Sequence, residues 1–162
     1  QIHLQTFAYP TTTNNTTMRT IEVNLYTYDE LSDKAKLNAL IDYQCEAEYF
    51  YGYDAMEGLK RFMVAVGVDM YNYDIDWLAP HRSKVYYEGE PTTDSVDESK
   101  FGYFAGITLA ETFNKTKSIE QAVQAFFKDC ADDYEYQLSE EGFSEHCDAN
   151  DFLFYENGKL FV

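Results

Sequence analysis

Between Lys128 and Glu156 the chain reads KDCADDYEYQLSEEGFSEHCDANDFLFYE, with ten carboxylates and one cation. Tyr134, Tyr136, Phe143, Phe152, Phe154 and Tyr155 are set among the acids. An acidic tail without aromatics stays unfolded, because it has too little apolar surface to offset the entropy of ordering. Aromatics at this density call for a core, and the acids must then lie on its outside. The stretch predicts folded elements carrying a fixed anionic face.

The whole chain repeats that balance. Its 162 residues carry 29 Asp and Glu against 12 Lys and Arg, a net charge of −17, together with 15 Tyr. A field of that sign repels nucleic acid and anionic membrane and attracts basic surfaces. No direct nucleic-acid contact and no membrane contact is therefore expected; the expected partner is the basic surface of another protein. Cys45, Cys130 and Cys147 are too far apart for a disulfide framework. They predict reduced thiols and a cytoplasmic setting. No apolar run approaches the roughly 20 residues of a membrane span, and no secretory signal is recognisable.

Residues 1–17, rich in Thr and Asn, read as a linker or a non-native extension, with Met18 as a natural start. Residues 18–162 predict a single α+β domain: a small, mostly antiparallel sheet, three to four helices and a C-terminal β-hairpin. Alternation predicts strands over 20–27, 70–77 and 83–88, and composition a further strand over 101–107. Ser32 is placed to cap a helix over 33–50, its buried side formed by Leu37, Leu40, Ile41 and Cys45, with Ala35, Ala39 and Tyr43 beside them. A second helix covers 54–66 and stops at Gly67. Residues 89–99 read as a mobile acidic loop, and 108–113 as a short helix. Gly102 and Gly106 suit a bulge or a close backbone approach. Ser118 and Gln121 form a capping box for a helix over 119–136, and Ser139 caps another to 149. Asn157-Gly158 predicts a type I′ turn, which needs positive φ at both positions.

The chemistry of catalysis is sparse. No Gly-rich phosphate loop is present. His3, His81 and His146 fall in no metal-ligand spacing. Glu145-His146-Cys147-Asp148 gathers reactive side chains, but neighbours on a helix point in different directions, so they meet neither as ligands of one ion nor as a nucleophile and its base. Asp74-x-Asp76 and Asp132-Asp133 belong to no calcium-loop pattern. No catalytic residue, no metal and no cofactor is expected. The sequons at Asn14, Asn15 and Asn114 read as chance matches.

Three segments resemble a family of small acidic phage and prophage proteins, described as antitoxin-like. The first matches an aromatic-x-E-L-S-x-x-A-K-x-x-A pattern with Tyr28, Glu30, Leu31, Ser32, Ala35, Lys36 and Ala39. The second is Gly67-Val68-Asp69 after a helix. The third carries Leu138, Ser139, Glu141, Glu145, Ala149, Asn150, Phe154, Gly158 and Lys159. Together they span most of 20–160, with a departure over WLAPHRSKVYYEGEPTTDSVDES. The resemblance implies a phage origin; it implies no catalytic residues.

Helical residues three or four apart share a face, roughly 5–6 Å from one another. Asp129, Asp132 or Asp133, and Tyr136 form one such row; Glu141, Glu145 and Asp148 form another. With Glu135 and Glu140 they make up the candidate partner-binding surface. Rows of this spacing resemble successive phosphates, which a Lys/Arg groove binds with release of counterions. The expected function is a phage-encoded anti-defence inhibitor. It would bind a host nucleic-acid-handling protein, such as a CRISPR effector or a restriction enzyme, by acidic mimicry of nucleic acid. The alternative is an antitoxin-type module that neutralises a cognate toxin through an aromatic patch at Tyr49, Phe50, Tyr51 and Tyr53.

Overall fold

The computed structural model describes residues 22–101 and 104–161. The extension over 1–17, the first two residues of the expected strand at 20–27, and Gly102 lie outside these. The described residues divide into two compact units. One is built from the described parts of Gln1–Ala47 and Leu138–Val162, the other from Glu48–Gln137.

The first unit holds α1 (Asp33–Glu46) and α5 (Glu140–Ala149). Ser32 and Ser139 cap them: Ser32 Oγ accepts from the Ala35 N–H and Ser139 Oγ from the Gly142 N–H. Each satisfies a donor that the first helical turn leaves unpaired. The core is aromatic. Tyr28 meets Phe143 edge-on at 5.1 Å, Phe154 lies 6.1 Å from Tyr28, and Tyr43 stacks on Phe143 at 4.5 Å. Leu31, Ala35, Ala39 and Cys147 complete it. The face of α1 that is buried differs from the expected one. Ala35 and Ala39 are buried, whereas Leu37 and Ile41 are 56% and 46% exposed, and Cys45 is exposed. Apolar residues surround this helix, so periodicity could not choose a face. Close approach marks the buried side: a Cβ on Gly158 would fall 2.1 Å from the Ala35 carbonyl oxygen.

The expected strand over 20–27 reduces, in its described part, to a single bridge. Tyr26 and Phe154 exchange both backbone hydrogen bonds. The expected C-terminal hairpin reduces likewise to one bridge, Phe154 with Leu160. Its turn is not type I′. The Gly158 N–H returns to the Tyr155 carbonyl, and Gly158 alone takes the left-handed conformation, at φ +89°, while Asn157 does not. The turn therefore covers Tyr155–Gly158, one residue earlier than the Asn-Gly signal places it.

The second unit holds α2 (Gly52–Val66), β1 (Asp69–Asp74), β2 (Lys84–Glu88), α3 (Phe104–Thr116) and α4 (Ile119–Gln137). The class is α+β as expected, with five α-helices among the described residues rather than three or four. Its sheet is one antiparallel pair, Asp74 opposite Lys84 and Asp69 opposite Glu88, with an irregularity between Met70 and Asn72. Gly67 ends α2 in the left-handed conformation, and the Val68 N–H returns to the Met63 carbonyl. Of the expected strand over 101–107, residues 104–107 are instead the start of α3. Its glycine does serve a close approach: a Cβ on Gly106 would meet the Phe101 Cβ at 2.9 Å, and one on Gly58 of α2 would lie 3.9 Å from the Gly106 Cα. Packing between α2 and α3 overrides the strand-like composition. Leu59, Phe62, Met63, Leu109, Phe113 and Phe126 are buried between these helices and α4.

Residues 89–99 are tied at several points. The Thr92 N–H donates to the Val66 carbonyl, the Asn114 amide clamps both backbone groups of Val96, and Lys117 Nζ reaches the Asp94 carbonyl. Gln137 joins the two ends of this unit. It is the one polar residue among the buried ones described. Its Nε2 donates to the Glu48 carbonyl at 2.8 Å, and its Oε1 accepts the Phe50 N–H at 3.0 Å.

Candidate functional site

The eight carboxylates of the candidate surface fall on two helices, four in each unit. On α4, Asp132 and Glu135 are exposed, while Asp129 and Asp133 are half-buried. Asp129 accepts a hydrogen bond from the Thr108 hydroxyl of α3. The Tyr49 phenol is buried, and burial foremost, then neighbours that include the Asp133 charge, push it above its ordinary value. Asp132 is ion-paired with Lys128 one turn earlier. On this helix much of the acidic row is engaged with its own unit.

On α5 the arrangement differs. Glu140, Glu141, Glu145 and Asp148 are all exposed, and all four line one shallow hollow of about 450 Å³. Their spacing explains this. Phe143 and Cys147, four apart, turn inward as the core stripe, so 141, 145 and 148 share the opposite side. Asp29, Ser144, Tyr28 and Lys36 complete the lining. Lys36 is the hollow's single cation. Its Nζ lies 3.9 Å from Asp29 and 5.4 Å from the centre of the Tyr28 ring. Five carboxylates against one ammonium leave a strong excess of negative charge. The rim is fixed from below, since α5 is capped at Ser139 and pinned by Phe143 and Cys147. The Tyr28 phenol is pushed up to about 12, first by burial and then by the charges of Glu140, Cys147 and Asp29. It stays neutral, so it adds an aromatic floor and no further charge.

The residues singled out in the three segments of the sequence divide between packing, the hollow and exposed positions outside it. Tyr28, Leu31, Ala35, Ala39 and Phe154 are core; Ser32 and Ser139 are caps; Gly158 makes the close approach. Lys36, Glu141 and Glu145 line the hollow, whereas Glu30, Asp69, Ala149, Asn150 and Lys159 are exposed outside it.

Other reactive groups are engaged elsewhere. Cys147 and Cys130 are buried, and burial foremost pushes both thiols up to about 12. Burial holds the His146 imidazole below its ordinary value; its Nδ1 accepts from the Asn150 amide, and its ring stands edge-on to Phe152 at 5.2 Å. Asp76 shapes a turn, accepting the Ala79 N–H at 3.0 Å and facing Arg82 at 3.9 Å. Among the described residues no three His, Cys, Asp or Glu side chains converge as a metal site, and no helix is long and apolar enough to cross a membrane.

The aromatic patch expected at Tyr49, Phe50, Tyr51 and Tyr53 lies at the head of α2 and is exposed at three of its four positions. Tyr53 is 78% exposed, and Phe50 and Tyr51 are about half exposed, whereas their neighbour Tyr49 is buried against Trp77 and Tyr134. Composition marks all four alike; only the fold separates the buried one.

Comparison with protein-family models, curated proteins and solved structures finds no match to this chain.

Proposed function

We propose that this chain is a non-enzymatic, phage-encoded inhibitor that acts in the bacterial cytoplasm by docking its acidic face onto a basic surface of a host nucleic-acid-handling protein. The observation that carries this reading is the α5 hollow, where five carboxylates surround one lysine on a capped, aromatic-backed helix. A rigid anionic rim binds Lys and Arg side chains with little ordering entropy to lose, and charge complementarity speeds encounter with a basic groove. In its finer form the reading is nucleic-acid mimicry, with carboxylates standing where phosphates would bind a CRISPR effector or restriction enzyme.

The test is capture of host proteins on the immobilised chain at about 0.05 and 0.5 M salt, beside a variant carrying E140Q, E141Q, E145Q and D148N. A nucleic-acid-handling protein held at low salt, released at high salt and lost by the variant is the expected result. Capture that ignores both salt and the four substitutions would overturn the reading.

A second reading is favoured by Phe50, Tyr51 and Tyr53. Exposed tyrosines and phenylalanine at one helix end suit an antitoxin-type contact with a cognate toxin. In that case Tyr53→Ala would abolish capture and the four amide substitutions would not.

A further inference from the structure

The α5 hollow holds one more acceptor beside its carboxylates. Tyr28 lines it, yet the residue is only 2% exposed, and its phenol oxygen has no hydrogen-bond partner. Buried polar groups are nearly always paired, and leaving one unpaired costs stability. The hydroxyl lies on the hollow's side of the core: Glu140, the foremost charge acting on it, and Asp29 both stand on the rim. Phe143, edge-on at 5.1 Å, and Phe154, at 6.1 Å, hold the ring in place.

The cation already present does not complete the site. Lys36 Nζ stands over the Tyr28 ring, 5.4 Å from its centre, and 3.9 Å from Asp29. The first distance is a cation–π contact; the second is beyond hydrogen-bond reach. Among the described residues Glu140, Glu141, Glu145 and Asp148 have no cation within 4 Å. The hollow thus offers an aromatic face, an unpaired phenol oxygen and four carboxylates without a counter-charge. A tethered ammonium engages only the first of these.

Resting on the docking role proposed for this face, we infer that the hollow seats one arginine side chain of the partner. Its guanidinium displaces Lys36 from the Tyr28 ring, donates one N–H to the phenol oxygen and gives others to the rim carboxylates. A guanidinium is flat, stacks on aromatic faces and carries five donors in a fixed fork that pairs with carboxylates two bonds at a time. An ammonium is a compact, strongly hydrated point charge. The neutral phenol accepts from the guanidinium and adds no charge of its own. Lys36 is then a resident competitor on a flexible stem, and it can leave the ring without disturbing the core beneath.

The test titrates the full chain with N-acetyl-arginine amide and, separately, N-acetyl-lysine amide, followed by amide NMR. The arginine amide is expected to shift Asp29 and residues 140–148, and to bind at least about fivefold tighter than the lysine amide. Tyr28→Phe should weaken arginine binding at least about threefold and leave lysine binding unchanged. It should melt no lower than the parent, because it deletes a hydroxyl that nothing in the free chain satisfies. K36Q should strengthen arginine binding more than K34Q, which removes the same charge from outside the hollow. Equal binding of the two amides, undiminished arginine binding by Tyr28→Phe, or no arginine binding by about 50 mM would overturn the inference. So would a Tyr28→Phe variant that melts clearly lower, since the hydroxyl would then have a partner within the fold. Host capture separates this from the docking reading. Salt-dependent capture that is lost with the four amide substitutions, in a chain that does not prefer arginine, sinks the arginine site alone. Arginine binding as expected with no host protein captured sinks the docking reading and leaves the arginine site standing.

Discussion

At the residue scale, burial decides which of the three thiols can react. Thiolate is the nucleophile, and Cys130 and Cys147, held up to about 12 inside aromatic cores, carry almost none at neutral pH. Cys45 is exposed at the end of α1. An aromatic disulfide reagent at pH 8 should therefore titrate one thiol quickly in the native protein and all three in denaturant. Fast native reaction of two or three would show that a core opens on the time scale of labelling. The same reasoning separates the acids. Asp129 and Asp133 resemble Glu141 and Glu145 in sequence, yet a threonine hydroxyl and a buried phenol engage the first two. Nothing in the spacing of carboxylates could reveal those partners, because they come from α3 and from residue 49.

At the element scale, the turn at 155–158 shows how local and tertiary demands combine. An Asn-Gly pair in a type I′ turn makes both residues left-handed. Here only Gly158 is, and it also lies against the Ala35 carbonyl. Gly158→Ala should thus destabilise the protein by about 2–4 kcal/mol, through a strained φ and a backbone clash together. Asn157→Ala should cost much less, since it removes one exposed hydrogen bond to the Lys159 N–H. Urea denaturation of both variants checks this; comparable losses would restore the type I′ turn. Elements with a local signal were legible: Ser32, Ser118 and Ser139 as caps, Gly67 as a stop, the helices over 54–66 and 119–136, and the strands over 70–77 and 83–88. What failed depended on distant residues. The helix α3 looked like a strand because its glycine serves Phe101 and Gly58. The buried face of α1 was misplaced because it packs against residues more than a hundred positions away, Gly158 lying on the Ala35 backbone and Phe143 and Phe154 in the same core. Gln137 gave no signal at all, since its partners at 48 and 50 are fixed only once the second unit closes. The hollow was half legible: the α5 row was evident from spacing, whereas Asp29 and Lys36 join it only through the packing of Tyr28 on Phe143.

At the scale of the whole molecule, charge acts on folding and on docking in opposite directions. A net charge of −17 repels itself in the compact state. The ion pairs among the described residues, Lys36–Asp29, Lys60–Glu57, Arg82–Asp76 and Lys128–Asp132, all involve solvent-reached side chains and contribute little each. Repulsion should therefore dominate the electrostatic part of stability. The screening length shortens from about 30 Å at 0.01 M salt to about 8 Å at 0.15 M. Over that range the melting temperature should rise by at least about 3 °C, which for a chain of this size corresponds to about 1 kcal/mol. Docking onto a basic surface should weaken over the same range, because the same screening removes the attraction. A single salt series that reads melting and partner binding in parallel thus gives two slopes of opposite sign. Both should flatten when Glu140, Glu141, Glu145 and Asp148 are replaced by their amides. Flattening of the melting slope alone would mean that these acids only keep the chain dispersed in water, and the hollow would then lose its claim to be the docking face.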